Sequence, residues 1–324
     1  MAKLRSLMGI ALVAIPMVIL GGCRDSADDG GEAGTDGGSP TGVASPPAAQ
    51  IPYGTSHGSL RHQGQERTYR LYVPRSVEAE PRLPLVVALH GGLGSGDQFA
   101  ENSQFEALAE SEGSAVVFPD GMDRTWNAGT CCGGAARNAV DDVDFLASLV
   151  ASLRERLPIG DERVFVTGHS NGAMMAFRLA CERSDLVAAV APVAGSLEIP
   201  TCAPSRGVHL LAIHGDSDRS HPLEGGEGPR SISNVSYASM EESLRRWTTG
   251  FGCAETPAVN TEGALTTTTW EDCMEGTTAS LVVIAGADHP WPGGKMPERT
   301  LPNQGVPSGE LDATRAVWEF FASR

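Results

Sequence analysis

"RVFVTGHSNGAMMAFRLA", residues 163–180, decides how this chain reads. An apolar run suited to a strand buried on both faces ends at Thr167, and an amphipathic helical pattern begins directly after Ser170. At the junction, Gly168 and Gly172 flank the serine as Gly-x-Ser-x-Gly. A serine that only caps a helix needs neither glycine. A serine held on a tight strand-to-helix turn needs both, because side chains there would collide. Such a turn lifts the hydroxyl above the carboxyl edge of a sheet, beside the positive end and unpaired N–H groups of a helix. The stretch therefore points to Ser170 as a nucleophile.

The segments around it continue the alternation. Residues 59–73 pattern as a hairpin with Gly64 at its turn, and "LPLVVALHG" (83–91) is a buried strand ending in glycine. Residues 97–112 read as a helix and 114–121 as a strand; residues 140–157 carry Val143, Leu146, Leu149, Val150 and Leu153 at helical spacing. Residues 186–195, 207–215 and 279–289 read as strands, and 235–249 and 309–323 as helices. Strands alternating with helices predict one α/β domain over residues 51–324, with a mostly parallel central sheet flanked by helices.

A serine nucleophile needs a base, and chains with this turn place an Asp or Glu and then a His after the serine. Of eight histidines, His209, His214, His221 and His289 follow Ser170. His209 lies inside an apolar strand, and His214 leaves too little chain before it for the acid. His221 reads as a solvent-exposed loop residue without a role. His289 stands in "GADHPWPGG", after the last strand and before the final helix, where the base belongs. The acid should leave a strand end between them, and "LLAIHGDSD" offers both Asp216 and Asp218. Asp185 comes too early, and Asp288 is the immediate neighbour of His289. Spacing alone leaves Asp216 and Asp218 both open.

An oxyanion needs two N–H donors: that of Asn171, the residue after the nucleophile, and that of Gly92, after the "LHGG" strand end. Asp141 and Asp142 open a helix, where acids cap the backbone and favour the dipole. Trp126 and Trp291 are candidate walls of an acyl or aromatic pocket. The chemistry requires no metal or organic cofactor.

The ends and the cysteines speak to location. Residues 1–22 have a basic start and an apolar run too short to span a bilayer, and so read as a signal peptide. Cys23, closing "LGGC", resembles the lipidated cysteine of a bacterial lipoprotein. Residues 23–50 contain no aromatic residue and are dominated by Gly, Ser, Pro and acids, the composition of a flexible tether. The expected picture is an exported domain held to a membrane through a lipid. Six further cysteines suit disulfides in an exported protein, pairing by proximity as Cys181 with Cys202 and Cys253 with Cys273. Cys131 and Cys132 then form a vicinal pair or remain free thiols. A net charge of -16 argues against nucleic acid as a partner.

With these residues placed, the chain resembles esterases of the polyhydroxyalkanoate depolymerase-like and feruloyl esterase-like kind (carbohydrate esterase family one), of the α/β-hydrolase fold. The likeness rests on "LHGG" (89–92), "WNAGTCCGGAARNAVDDVDFL" (126–146), "GHSNGAMMAFRLACE" (168–182), "IHGDSD" (213–218) and "GADHPWPGG" (286–294). The family pattern His-Gly-Thr-x-Asp, laid on His214–Asp218, implies Asp218 as the acid; Asp216 stands where a small residue is usual. Pro290 replaces the usual threonine after His289, and Ser220, His221 and Leu223 replace apolar or aromatic residues. The resemblance implies a serine esterase acting on feruloyl or acetyl esters of plant polysaccharide or on small soluble esters, with polyhydroxybutyrate as the alternative substrate. A catalytically inactive lipid-anchored binding module is the reading from a different class.

Overall fold

A computed structural model describes residues 51–79, 81–296 and 305–324; the expected signal peptide, Cys23 and the tether lie outside them. The chain enters through a hairpin of β1 (Gly54–His62) and β2 (Gln65–Val73). Gln63 and Gly64 turn it with positive φ at both, the conformation that matches the twist of paired strands. After β3 (Leu83–Leu89), the single helix expected over 97–112 is two, α1 (Gly96–Ser103) and α2 (Phe105–Glu112). Gln104 between them adopts the left-handed conformation, which ends α1 and re-aims α2 without a glycine or proline.

β4 (Ala115–Pro119) leads through the short α3 (Gly133–Arg137) to α4 (Asp142–Arg154) and β5 (Ile159–His169). Then follow α5 (Asn171–Glu182), β6 (Ala189–Val193), β7 (His209–Gly215) and α6 (Met240–Gly250). A hairpin the sequence did not announce, β8 (Ala258–Glu262) and β9 (Leu265–Trp270), precedes β10 (Ala279–Ile284) and α7 (Ala313–Ala322). The described strands form one sheet in the order β1-β2-β4-β3-β5-β6-β7-β10-β9-β8. The six from β4 to β10 are parallel, and each flank is an antiparallel hairpin.

The inner strands are apolar throughout because both faces are covered. Leu85, Val87 and Leu89 of β3 join the core on one face, with Leu149 and Leu153 of α4, Phe177 of α5 and Trp247 of α6. Val86 and Ala88 join the other, with Phe99 of α1, Phe105 of α2 and Phe321 of α7. Phe321 stacks on Phe165 of β5 at 4.9 Å. Fully burying one such side chain stabilises by about 1.5–3 kcal/mol, so α7 is held by its face rather than its ten-residue length.

The disulfides pair Cys131–Cys132, Cys181–Cys202 and Cys253–Cys273. Cys181 lies in the last turn of α5, which runs back from the carboxyl edge of the sheet, and Cys273 precedes β10. Those two bridges therefore gather at the amino edge of the parallel strands. Among the described residues, no helix is long and apolar enough to cross a membrane.

Candidate active site

The turn after β5 is strained at one residue. Ser170 has φ 55° and ψ -119°, outside the ordinary wells for a side-chain-bearing residue, and its hydroxyl makes no capping bond to α5. The flanking glycines permit the packing: a Cβ on Gly172 would stand 2.6 Å from the His90 carbonyl oxygen, and one on Gly168 would stand 3.0 Å from the Ala173 nitrogen. Freed from capping, Ser170 Oγ is 3.0 Å from His289 Nε2. His289 Nδ1 is 2.7 Å from Asp218 Oδ2. Ser170 follows β5, Asp218 follows β7 and His289 follows β10; three parallel strands thus deliver the groups to one edge.

Geometry separates the two aspartates that spacing left open. Asp218 is buried, and its Oδ1 accepts the N–H groups of Ser220 and His221, each at 2.8 Å. Burial alone would raise its pKa; the His289 imidazole, then His214 and the His221 amide, hold it well below the usual carboxylate range instead. Asp216 is exposed and accepts the Gly286 N–H at 2.7 Å, tying the turn after β7 to the one after β10. Asp288 pairs with Arg230 at 2.8 Å. Asp141 caps α4, accepting from the Asp144 N–H at 3.1 Å.

Asp142 goes beyond helix capping. It is fully buried, bonds Arg67 at 2.7 Å and accepts the Asn127 N–H at 2.8 Å. The next residue back, Trp126, is held by Asn171, whose side chain both accepts the Trp126 N–H at 2.7 Å and donates to its carbonyl at 3.0 Å. The Trp126 indole donates to the His90 carbonyl at 2.9 Å. Trp126 is thus wholly buried behind the loop that carries Gly92, and is not part of the cavity wall. Trp291 does line the cavity, while its indole N–H donates to Thr314 at 3.0 Å.

The two residues expected to supply the donor groups lie side by side. A Cβ on Gly92 would be 3.8 Å from the Asn171 Cβ, and neither residue's backbone N–H has an acceptor among the described residues. The neighbouring amides are occupied: Leu93 donates to the Arg124 carbonyl and Gly94 to the Gly91 carbonyl. The cavity beside Ser170 measures about 370 Å³. Leu93, Ile232 and Met296 stand on it as exposed apolar side chains.

Sequence reasoning missed three further imidazoles packed around His289 and Asp218. His169 donates from Nε2 to the His289 carbonyl at 2.8 Å, and its pKa is lowered to about 4, chiefly by burial. His214 donates to the His221 carbonyl at 2.8 Å and lies 3.7 Å from Asp218 Oδ2. His221, expected at the surface, is buried against Tyr237, with ring centroids 4.2 Å apart. Only the side-by-side histidine and serine of "GHSNG" hinted at any of this. His209 is half-buried and accepts the Thr278 N–H at 3.2 Å. Among the described residues, no group of three or more His, Cys, Asp or Glu is arranged to hold a metal ion.

Comparison with known proteins places this architecture. Residues 67–206 match the family model described as "Esterase PHB depolymerase". Over 255 residues the chain is 30% identical to the "Putative esterase NocK" of Nocardia uniformis subsp. tsuyamanensis, covering 73% of this chain and 74% of that one. It is 28% identical over 233 residues to feruloyl esterase B of Piromyces equi, covering 69% of this chain but only 42% of the relative. In structure it is similar to an acetyl xylan esterase from Aspergillus awamori, with a TM-score of 0.55, 20% identity and coverage of 72% and 94% of the two chains. The protein is thus a carboxylic ester hydrolase of the α/β-hydrolase fold and belongs to the esterase PHB depolymerase family.

Proposed function

We propose that ester hydrolysis proceeds through an acyl-serine intermediate, with Ser170 as nucleophile, His289 as base and Asp218 as the acid that orients it. The observation carrying this reading is the pair of hydrogen bonds in series, 3.0 Å from serine to histidine and 2.7 Å from histidine to aspartate. His289 takes the Oγ proton as the oxygen attacks the ester carbonyl, and the N–H groups of Gly92 and Asn171 receive the developing oxyanion. The alcohol leaves with the proton from His289. Water then yields a proton to His289 and attacks the acyl carbon, and the acid departs as Ser170 recovers its hydrogen. Ionised Asp218 offsets the transient imidazolium charge.

The substrates assigned are feruloyl or acetyl esters of plant polysaccharide, or small soluble esters. The names of the relatives and the exposed apolar side chains at the cavity support this class. Polyhydroxybutyrate is the second reading, favoured by the description of the family model. Turnover of methyl ferulate, acetylated xylan, short p-nitrophenyl esters and polyhydroxybutyrate tests the ranking, and activity on the last alone would overturn it. Labelling by a fluorophosphonate, present in the native protein and lost in Ser170→Ala, tests the nucleophile.

The domain is further assigned to the outside of the cytoplasm: residues 1–22 as signal peptide, Cys23 as lipidation site, residues 23–50 as tether and residues 51–324 as the hydrolase. The three disulfides support an oxidising compartment. Radiolabelled palmitate should enter the native chain but not Cys23→Ala; equal incorporation would remove the anchor.

A further inference from the structure

The cavity beside Ser170 has a charge pattern for which a neutral ester has no use. Over the whole chain Asp and Glu outnumber Lys and Arg, 40 to 24. Yet the cavity wall includes Arg124, Arg230 and Lys295 and, among the described residues, no Asp or Glu. Arg124 directs its guanidinium at the carbonyls of Leu93 and Gly94, on the loop that carries Gly92, and has no carboxylate partner among the described residues. Arg230 gives one nitrogen to Asp288. The Lys295 side chain is exposed, with neither hydrogen bond nor ion pair among the described residues. It is also the only lysine after Lys3.

Among the described residues, three cations with a single carboxylate paired to them make the mouth of the cavity locally positive in an acidic molecule. Like-signed charge around a concave site concentrates ligands of the opposite sign. Structural need does not explain Lys295, because its ammonium holds nothing among the described residues. We infer that the preferred substrates are esters that also bear a carboxylate, placed on the acid or the alcohol side within reach of Lys295 and the two arginines. Half-esters of dicarboxylic acids, hydroxy-acid oligomers with a free carboxyl end and uronic acids acylated on a hydroxyl, with the carboxylate left free, share this chemistry. The inference rests on the Ser170-centred reading above.

Two matched pairs of substrates test it and distinguish the two sides. p-Nitrophenyl hydrogen adipate against p-nitrophenyl hexanoate places the charge on the acid; 4-butyryloxybenzoate against 4-butyryloxybenzamide places it on the alcohol. In at least one pair the charged ester should show a kcat/KM about three- to tenfold higher at low ionic strength. The advantage should shrink in about 0.5 M NaCl, where the Debye length is only about 4 Å. Lys295→Glu should abolish or invert the ratio, and Lys295→Arg should retain it. No advantage in either pair, or an equal fall for both members in Lys295→Glu, overturns the inference. Hydrolysis that survives in Ser170→Ala overturns instead the reading beneath it, so the two failures are separately visible.

Discussion

Replacing Asn171 by alanine separates the two jobs this residue holds. Its side chain is almost fully buried and satisfies both backbone groups of Trp126, at 2.7 and 3.0 Å. Alanine leaves that N–H and that carbonyl without partners in the interior, at about 1–3 kcal/mol each, or about 2–6 kcal/mol together. For a domain of this size about 2 °C of Tm corresponds to each kcal/mol, so the melting temperature should fall by about 4–12 °C. The proposed oxyanion donor is the backbone N–H of residue 171, which alanine retains. Loss of such a donor costs about 10²–10³ in kcat. The folded fraction of Asn171→Ala should therefore lose less than about tenfold against p-nitrophenyl butyrate well below its Tm. Thermal melts and initial rates on the same preparation measure both. An unchanged Tm would show that the side-chain clamp carries no weight, and a kcat loss beyond about a hundredfold with a native Tm would make the side chain itself a donor to the reaction.

Gly172→Ala should destabilise by more than the about 1–3 kcal/mol usual for an overpacked core, because the added carbon meets the backbone carbonyls of Leu89 and His90, whereas Gly92→Ala, meeting nothing nearer than 3.8 Å, should fold with a near-native Tm; equal melts for the two would contradict the packing. His169, His214 and His221 all have lowered pKa values, chiefly through burial, His169 to about 4. The unfolded chain therefore binds protons that the native state refuses, and stability should fall as pH drops from about 6.5 towards 4. Asp218, held below its ordinary value, extends the loss below about pH 4. His221→Phe should flatten the Tm profile between pH 7 and 5, and a native profile already flat there would show that these rings are not buried neutral. Cys181→Ser with Cys202→Ser opens a bridge of sequence separation 21 and should cost about 3 kcal/mol in urea unfolding; no change in midpoint would mean the unfolded chain gains no freedom.

The parts of this molecule legible in the sequence are those written in local pattern. Buried parallel strands appear as unbroken apolar runs, and Ser170 and His289 follow from a turn motif and chain order. Asp216 and Asp218 stand two residues apart on one turn, so spacing left both open; the family pattern implied Asp218, and its contact with His289, 71 residues beyond it, separates the two in space. The β8–β9 hairpin escaped because its strands are exposed or half-buried and threonine-rich, with no apolar alternation. The break at Gln104 escaped because no glycine or proline marks it. His221 was misplaced because its burial depends on Tyr237, which a loop brings back over it. The Arg67–Asp142 pair joins positions 75 apart, beyond any local signal.

Two of the three covalent staples lie at one end of the parallel strands, and Ser170, His289 and Asp218 lie at the other. The sheet thus has a floor fastened by bridges between distant segments, whereas the third bridge, Cys131–Cys132, joins only chain neighbours. The segments that carry Leu93, Ile232 and Lys295 can be redrawn, by selection or by hand, without touching Cys181–Cys202 or Cys253–Cys273. A library seeking new ester preferences belongs on the rim opposite that floor, where diversity does not have to be reconciled with those two bridges.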